Sequence, residues 1–488
     1  MGAPETALVT GGHLRFEDLR AFLARADELG MLRVVEGAHW NLEIGAISEL
    51  MNDIPDNPIL LFDKIPDYAP GFRVLTNHLN TAKKVALVRG LPVDAHPGEL
   101  LHLWSQRRKE FQPVPPVVVS SGPVLENVIT GDKIDLLRFP VPKWRLLDDG
   151  RYVGTGNVFI NRDPEAGWVN LGTYRQCVIA RDRATVYIEP HHHGLMIAKK
   201  YWSQGRSCPV AVCYGAEEAV FEAAAVNLPP GVSEYDYAGW LRGTPVPVLE
   251  GKLTGLPIPA NAEIVIEGEI PPLEEESHPE GPFREWPGYY SQSPVPAPVI
   301  RVQAIYHRHN PILMGRPAQS RTMNPPAIPD AAISAMEALQ RAGIPGVRGA
   351  WIHMGSLFIV VAIEQQYAGH SKSALAALAG TRTSASANRF YIVVDEDIDP
   401  IDINQVLWAL CTRVEFSQQV DVLRGMRTGG IDPLIAPEKR AVRDYTASIM
   451  LIDACKPFVW KDQFGKSMSY TEDYLRNIRT KWGSSLGF

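Results

Sequence analysis

From Val117 to about Ile312 the chain is rich in Val, Ile, Gly and Pro, and helix signals thin out. Segments such as Ala262 to Glu267 and Val299 to Tyr306 alternate apolar and polar residues, the period of a half-buried strand. With 40 Pro and 40 Gly in 488 residues, turns are frequent, which argues against a helical bundle or coiled coil. Such a run predicts a barrel or a strongly bent sheet.

The flanks have a different pattern. Leu19, Phe22, Leu23, Ala26 and Leu29 recur at helical spacing between Phe16 and Leu29, and Gly30 supplies a stop. Ile59 to Phe62 is a short apolar run bounded by Pro58 and Asp63, as a buried strand is. An N-terminal α/β domain is therefore expected over 1–115, ending at the Pro-rich Pro113 to Pro116. After Asn324-Pro325-Pro326, Asp330 is expected to cap a helix running to about Ala342, closed by Gly343 and Pro345. Leu357 to Ile363 and Phe390 to Val394 are continuous apolar runs, the mark of strands covered on both faces. Ser373 to Leu378 and Ile403 to Val414 supply helices between and after them, so the C-terminal part, 321–488, is expected to be α/β. The expected fold is a multidomain α+β and α/β chain with its sheet-rich domain over 116–320. Ser467 to Phe488, polar with scattered Tyr, Leu, Ile and Trp, is expected to be a tail helix docking on a partner subunit.

Forty-eight Lys and Arg against 55 Asp and Glu give a net charge of −7, which argues against nucleic acid as the main partner. Five cysteines, Cys177, Cys208, Cys213, Cys411 and Cys455, form no CxxC pair. That suits reduced, mostly buried thiols rather than a disulfide framework. The N-terminus lacks the basic and apolar regions of a secretory signal, and the most apolar stretch, Leu357 to Ile363, is too short to span a bilayer. A cytoplasmic protein without a membrane span is expected.

Several familiar motifs fail. Gly154-Thr155-Gly156 lacks the third glycine and the following helix of a dinucleotide fingerprint. Gly465-Lys466-Ser467 resembles the end of a P-loop, but Trp460 stands where its first glycine must be. Gly483 to Gly487 spells GxSxG with no downstream acid or histidine. No HExxH is present.

Three clusters could carry chemistry. In Asn170-Leu171-Gly172-Thr173-Tyr174-Arg175, expected on a central strand, a buried guanidinium would need an anionic partner; a solvent-facing Arg is the alternative. Glu189-Pro190-His191-His192-His193-Gly194 is expected to follow a strand from Thr185 to Ile188. Adjacent side chains in an extended segment point to opposite faces, so one metal ligand with its neighbours shaping a pocket is expected, against a surface histidine cluster. Glu280 to Tyr290 is a rigid irregular loop holding two carboxylates, with Trp286, Tyr289 and Tyr290 as expected apolar walls. Such walls disfavour the charged form and make a usable proton donor. A solvated loop with incidental acids is the alternative, and Glu274 to Glu276 are taken that way.

Together these blocks resemble the UbiD-type decarboxylases, which use prenylated FMN. NLGTYR (Asn170 to Arg175), SEYDYAG (Ser233 to Gly239) and EGPFREWPGYY (Glu280 to Tyr290) occur in the family's order. Tyr367 to Lys372 and Gly315-Arg316-Pro317 support them, and the resemblance covers almost the whole chain. It implies a central split β-barrel that binds the flavin and a C-terminal oligomerisation domain. It implies Asn170, His192 and Glu234 as ligands of Mn²⁺ or Mg²⁺ beside the cofactor phosphate, with K⁺ nearby. Thr173, Tyr174, Arg175, His191, His193, Gly194 and Lys372 would also contact the cofactor, Lys372 near its phosphate.

Arg175, Glu280 and Glu285 match the family's catalytic trio, with Glu285 as proton donor. Arg284, beside it, is expected to point away. The implied reaction is reversible non-oxidative decarboxylation of a hydroxybenzoate-type or pyrrole- or furan-carboxylate-type acid through a covalent cofactor adduct, releasing CO₂. Arg321, Arg348 and His353 are candidate pocket residues by location in the chain. A flavin prenyltransferase would supply the cofactor, and a homodimer or homohexamer is implied. A flavin-dependent oxidoreductase is the alternative, which the lack of a nicotinamide fingerprint disfavours; a metal-dependent hydrolase is weaker still.

Overall fold

The computed structural model describes residues 9–10, 13–14, 16–226, 228–290, 295–316, 328–381, 389–466 and 470–486. Helix α1 (Leu19–Glu28) begins where the Asp18 carboxylate accepts from Ala21 N at 2.8 Å, and it buries Leu19, Phe22, Leu23 and Ala26. Strands β1 (Leu32–Glu36), β2 (Ile59–Asp63) and β3 (Arg73–Thr76) follow, and helix α2 (Glu43–Asn52) lies between the first two. The expected α/β pattern is present. The N-terminal sheet is completed from far along the chain, because Ile312–Met314 pairs in parallel with β3. The last strand before 320 thus belongs to the first sheet.

The central part is a ten-stranded antiparallel sheet that curls into a half-barrel. Its strands include β4 (Arg151–Gly154), β5 (Asn157–Arg162), β6 (Val169–Gly172), β7 (Gln176–Ala180), β8 (Arg183–Thr185), β9 (Cys208–Tyr214), β10 (Ile264–Ile270), β11 (Ser277–Glu280) and β12 (Val295–His307). The order runs β6-β5-β9-β10-β12-β8-β7-β4, and β11 also pairs with β12. β6 therefore ends this order instead of lying at its centre as expected. β8 stops at Thr185, short of Ile188, and from Val186 the backbone bonds to Pro298 and Arg175 instead.

Helical turns enter this sheet-rich part although its helix signal is weak. α3 (His193–Trp202), α4 (Glu218–Ala224) and α5 (Glu234–Arg242) pack onto it. The Ser233 hydroxyl accepts from Tyr235 N at the start of α5, and Gly243 ends that helix at φ +75°.

The C-terminal sheet has five strands, including Phe358–Ile363 and Phe390–Asp395 paired in parallel, with helices His370–Ala379 and Ile403–Arg413. The helix Asp330–Arg341 starts at Asp330 but is not capped by its side chain. That carboxylate instead accepts from Trp104 Nε1 at 2.8 Å and Arg89 Nη2 at 2.7 Å, tying the helix to the N-terminal part. The tail forms a helix, Glu472–Leu486. Asn324 to Pro326 and the expected boundary at 320 and 321 lie outside the described residues. No described helix is long and apolar enough to cross a membrane. Cys177, Cys208, Cys213 and Cys455 are free and buried, and Cys411 is free and exposed.

Candidate active site

Arg175 stands in the three-residue link between β6 and β7, so its side chain leaves the sheet edge and reaches the end of β11 and the loop after it. Its Nε donates to Glu280 Oε1 at 2.8 Å and its Nη2 to Glu280 Oε2 at 2.7 Å, a bidentate pair. Its Nη1 donates to Glu285 Oε1. These side chains are 11%, 1% and 13% exposed, so the ion pairs are nearly dry. The solvent-facing reading of Arg175 is excluded by these contacts.

The walls differ from the expected ones. The Tyr187 ring lies 4.0 Å below the Arg175 guanidinium and Phe283 stands 5.0 Å away. Tyr152, fully buried, packs on Phe283 at 4.4 Å between ring centres and donates its hydroxyl to Glu280 Oε1 at 2.9 Å. Tyr289 is exposed and Trp286 and Tyr290 are half-buried, because the loop turns back on itself. Glu285 N donates to Tyr289 O and Gly288 N to Glu285 O, with Gly288 at φ +90°, where a side chain would be strained.

Arg284 leaves in the other direction. Its Nη1 donates to Glu49 on α2 at 2.7 Å, where Arg145 also pairs at 3.0 Å, and its backbone N–H bonds Asp148 at 3.3 Å. The neighbouring cation is spent on pinning the loop, so it does not depress the Glu285 carboxyl. Glu275 and Glu276, taken as solvated, instead pair with Arg301, and Glu276 also with Arg183.

Burial raises the pKa of Glu285 above the usual carboxyl range; Arg175 opposes this, and Glu280 and Glu189 add to it. Burial works against the Arg175 charge, but Glu285 and Glu280 outweigh it and hold the guanidinium firmly protonated. Tyr187 donates to Glu189 at 3.1 Å. A Cβ placed on Gly430 would stand 3.5 Å from that Glu189 carboxylate, so the C-terminal part comes up against the outer side of the cluster.

The second group lies along the same strand. Asn170 donates from Nδ2 to Asn161 Oδ1 at 3.1 Å, and Asn161 donates to Gly194 O at 3.0 Å. Tyr174 accepts from Gly194 N at 3.3 Å and faces the His192 ring at 5.7 Å. A Cβ on Gly172 would meet the Tyr174 hydroxyl at 2.4 Å, and one on Gly194 its ring at 2.7 Å. Both glycines are what let the phenol slide between β6 and the start of α3. Burial pushes the Tyr174 hydroxyl up to about 12.

The histidine run is not extended throughout. His192 caps α3, and His193 is its first residue, turned edge-on to Trp168 at 5.3 Å. His191 and His192 stand perpendicular at 4.7 Å. Glu234, 2% exposed in the first turn of α5, accepts from Leu171 N at 2.7 Å, the residue next to Asn170. Burial raises its carboxyl to about 7.

Among the described residues no three His, Cys, Asp or Glu side chains group as a metal cage. The expected ligand set does not need one, since it combines an amide oxygen, an imidazole and a carboxylate. Asn170 spends its amide nitrogen on Asn161, which leaves its carbonyl oxygen for the expected ligand role, and Glu234 is a buried acid with one oxygen on a backbone amide. Hard oxygen donors with one imidazole suit Mn²⁺ or Mg²⁺.

The remaining expected residues fare differently. Thr173 is half-buried beside Tyr174. Lys372 does not join either group: its ammonium pairs with Asp421 at 2.5 Å within the C-terminal sheet domain. Arg348 is exposed and paired with Glu364, and His353 bonds Pro400 O at 2.8 Å, so both serve their own domain. Arg321 lies outside the described residues. Tyr152, Tyr187, Phe283 and Asn161 were not anticipated. Tyr187 had a detectable signal, an aromatic close to the histidine run, but Tyr152 reaches the site only through sheet curvature.

Comparison with known proteins agrees with this geometry. Family models of 3-octaprenyl-4-hydroxybenzoate carboxy-lyase match residues 23–104 (N-terminal domain), 117–319 (Rift-related domain) and 329–454 (C-terminal domain). Pyrrole-2-carboxylic acid decarboxylase of Pseudomonas aeruginosa is 34% identical over 391 residues, 76% of this chain and 78% of that protein. Phenolic acid decarboxylase of Bacillus subtilis is 30% identical over 434 residues, 86% of this chain and 89% of that protein. The UbiD-class enzyme HmfF of Pelotomaculum thermopropionicum, in complex with FMN, superposes with TM-score 0.81 at 28% identity, covering 94% of this chain and 99% of that one. An evolved dimeric form of HmfF, in complex with prFMN, gives TM-score 0.78 at 28% identity, covering 93% and 97%. The chain belongs to the UbiD family. It is a carboxy-lyase.

Proposed function

We propose that this protein catalyses the reversible, non-oxidative decarboxylation of an aromatic or heteroaromatic acid with prenylated FMN. The observation that carries the reading is the convergence of one guanidinium on two carboxyl groups, one at the end of β11 and one in the loop after it. Asn170, His192 and Glu234 would hold Mn²⁺ or Mg²⁺ against the cofactor phosphate, with K⁺ nearby. Thr173, Tyr174, His191, His193 and Gly194 would line the rest of the cofactor site. When bound, prenylated FMN supplies an electron sink for the carbon that loses CO₂.

The chain's own groups do the remaining work. Arg175, steadied by Glu280, orients the substrate carboxylate for loss of CO₂. Phe283 and Tyr187 keep water from the reacting carbon. Glu285, whose carboxyl burial shifts toward the protonated form, delivers a proton to that carbon after CO₂ leaves. Relatives named for pyrrole-2-carboxylic acid and for phenolic acid support the five-membered heteroaromatic and hydroxybenzoate classes alike. We take the protein to be cytoplasmic, a homodimer or homohexamer, and dependent on a flavin prenyltransferase for its cofactor.

The test is co-expression with a flavin prenyltransferase, an absorbance scan, and a screen of such acids for CO₂ release. A modified-flavin spectrum with release from one class is expected. An unmodified FMN spectrum with no release from any acid would overturn the reading.

A further inference from the structure

We propose that Tyr152 is a positioning residue that decides which of the two acids carries the transferable proton. Only the use to which that proton is put rests on the decarboxylase reading. Glu280 Oε1 accepts from both Arg175 Nε and the Tyr152 hydroxyl, and Oε2 accepts from Arg175 Nη2. At each of these contacts a donor faces the carboxylate. The guanidinium N–H groups can only donate, so both oxygens of Glu280 are held as acceptors.

Glu285 accepts from Arg175 Nη1. One guanidinium balances one carboxylate, and a second ionised acid in so dry a pocket would be uncompensated. The other charged and titratable groups nearby do not change this. Glu189 adds negative charge beside Glu285, and Arg284 is turned to Glu49. Cys177, beside Glu280, is a buried thiol pushed up to about 12 by burial and stays neutral.

Glu280 takes two of the guanidinium's contacts against one for Glu285, and the Tyr152 hydroxyl widens that inequality with a further donor. It comes from β4, outside the segment that carries both acids, and its ring is held by Phe283. Without that hydroxyl only the guanidinium's two-to-one preference for Glu280 remains, and the fraction of the proton on Glu285 falls.

Infrared difference spectroscopy on the full-length cofactor-loaded enzyme reads the proton directly. In the wild type, the protonated-carboxyl stretch should vanish in Glu285→Gln and persist in Glu280→Gln. In Tyr152→Phe, part of that band should become removable by Glu280→Gln, and turnover should fall about tenfold, the size of one hydrogen bond to a charged group. A wild-type band that vanishes in Glu280→Gln, or a Tyr152→Phe enzyme with unaltered band and turnover, overturns the proposal. If Tyr152→Phe does not fold, 3-fluorotyrosine at position 152 gives a stronger donor in the same packing. It must shift the Glu280 carboxylate stretch, and an unshifted stretch overturns the proposal. Bands that move as expected in a protein that releases CO₂ from no acid would uphold the proton assignment and remove the decarboxylase reading instead.

Discussion

The two polar groups of the site are built in opposite ways, although one short segment of chain feeds both. In the acid group, Arg175, Glu280, Glu285 and Tyr152 hydrogen-bond to one another. In the other, Asn170 is tied to Asn161, Glu234 to a backbone amide, and His192 sits at a helix start facing Tyr174. The first group balances its own charge before any ligand arrives. The second is aimed by the scaffold and leaves a buried acid whose charge only a cation would compensate. A catalytic proton must be stored at a defined atom, whereas a cofactor anchor must stay open to what it binds.

The sharpest way to break this contrast is Glu285→Gln. Turnover should fall by roughly 10²- to 10⁴-fold while metal and flavin content stay at wild-type levels, the loss expected of a general acid. Unchanged turnover, or a loss of flavin in step with activity, would merge the two groups into one. Asn161→Ala should do the reverse. With Asn170 no longer oriented, metal affinity measured by titration should weaken by about 10- to 100-fold.

Gly194→Ala tests the scaffold itself. Its Cβ would overlap Tyr174, so thermal or denaturant unfolding should show a loss of about 1–3 kcal/mol. A smaller effect is expected from pH. Because burial raises the Glu285 pKa, the group holds its proton above the usual carboxylate range, and turnover should decline as rising pH removes it. The folded state binds that proton more tightly than the unfolded chain, so its stabilisation is present in acid and lost as pH rises through the folded-state titration. An alkaline limb identical in Glu285→Asp would assign that limb to another group. Arg348→Ala should change stability by less than about 0.5 kcal/mol and leave KM for the substrate alone, since its ion pair is exposed.

Much of this was legible in the sequence where a local signal and a global role coincide. The helix from Leu19, the strand from Ile59 and the apolar runs at Phe358 and Phe390 follow from periodicity, and the structure has them. Charged residues in strand-like or rigid segments drew notice to the clusters holding Arg175, Glu280 and Glu285, but their grouping as a trio came from the family resemblance. What stayed hidden depends on distance in the chain. The helix beginning at His193 lacks a conventional cap, so the histidine run looked extended. Tyr152 is separated from Glu280 by 128 positions, and no spacing rule connects them. Lys372 matched a motif, yet Asp421 claims its ammonium, a partner the motif does not contain.

Asn170 and Arg175 are joined by Leu171, Gly172, Thr173 and Tyr174, which pass from the edge of the sheet into the link before β7. That stretch acts as a ruler cut from the backbone. The spacing between the two polar groups is fixed by covalent bonds, so the two cannot drift independently when the surrounding loops or the C-terminal part move. A single inserted residue there would misalign Asn170 and Arg175 together.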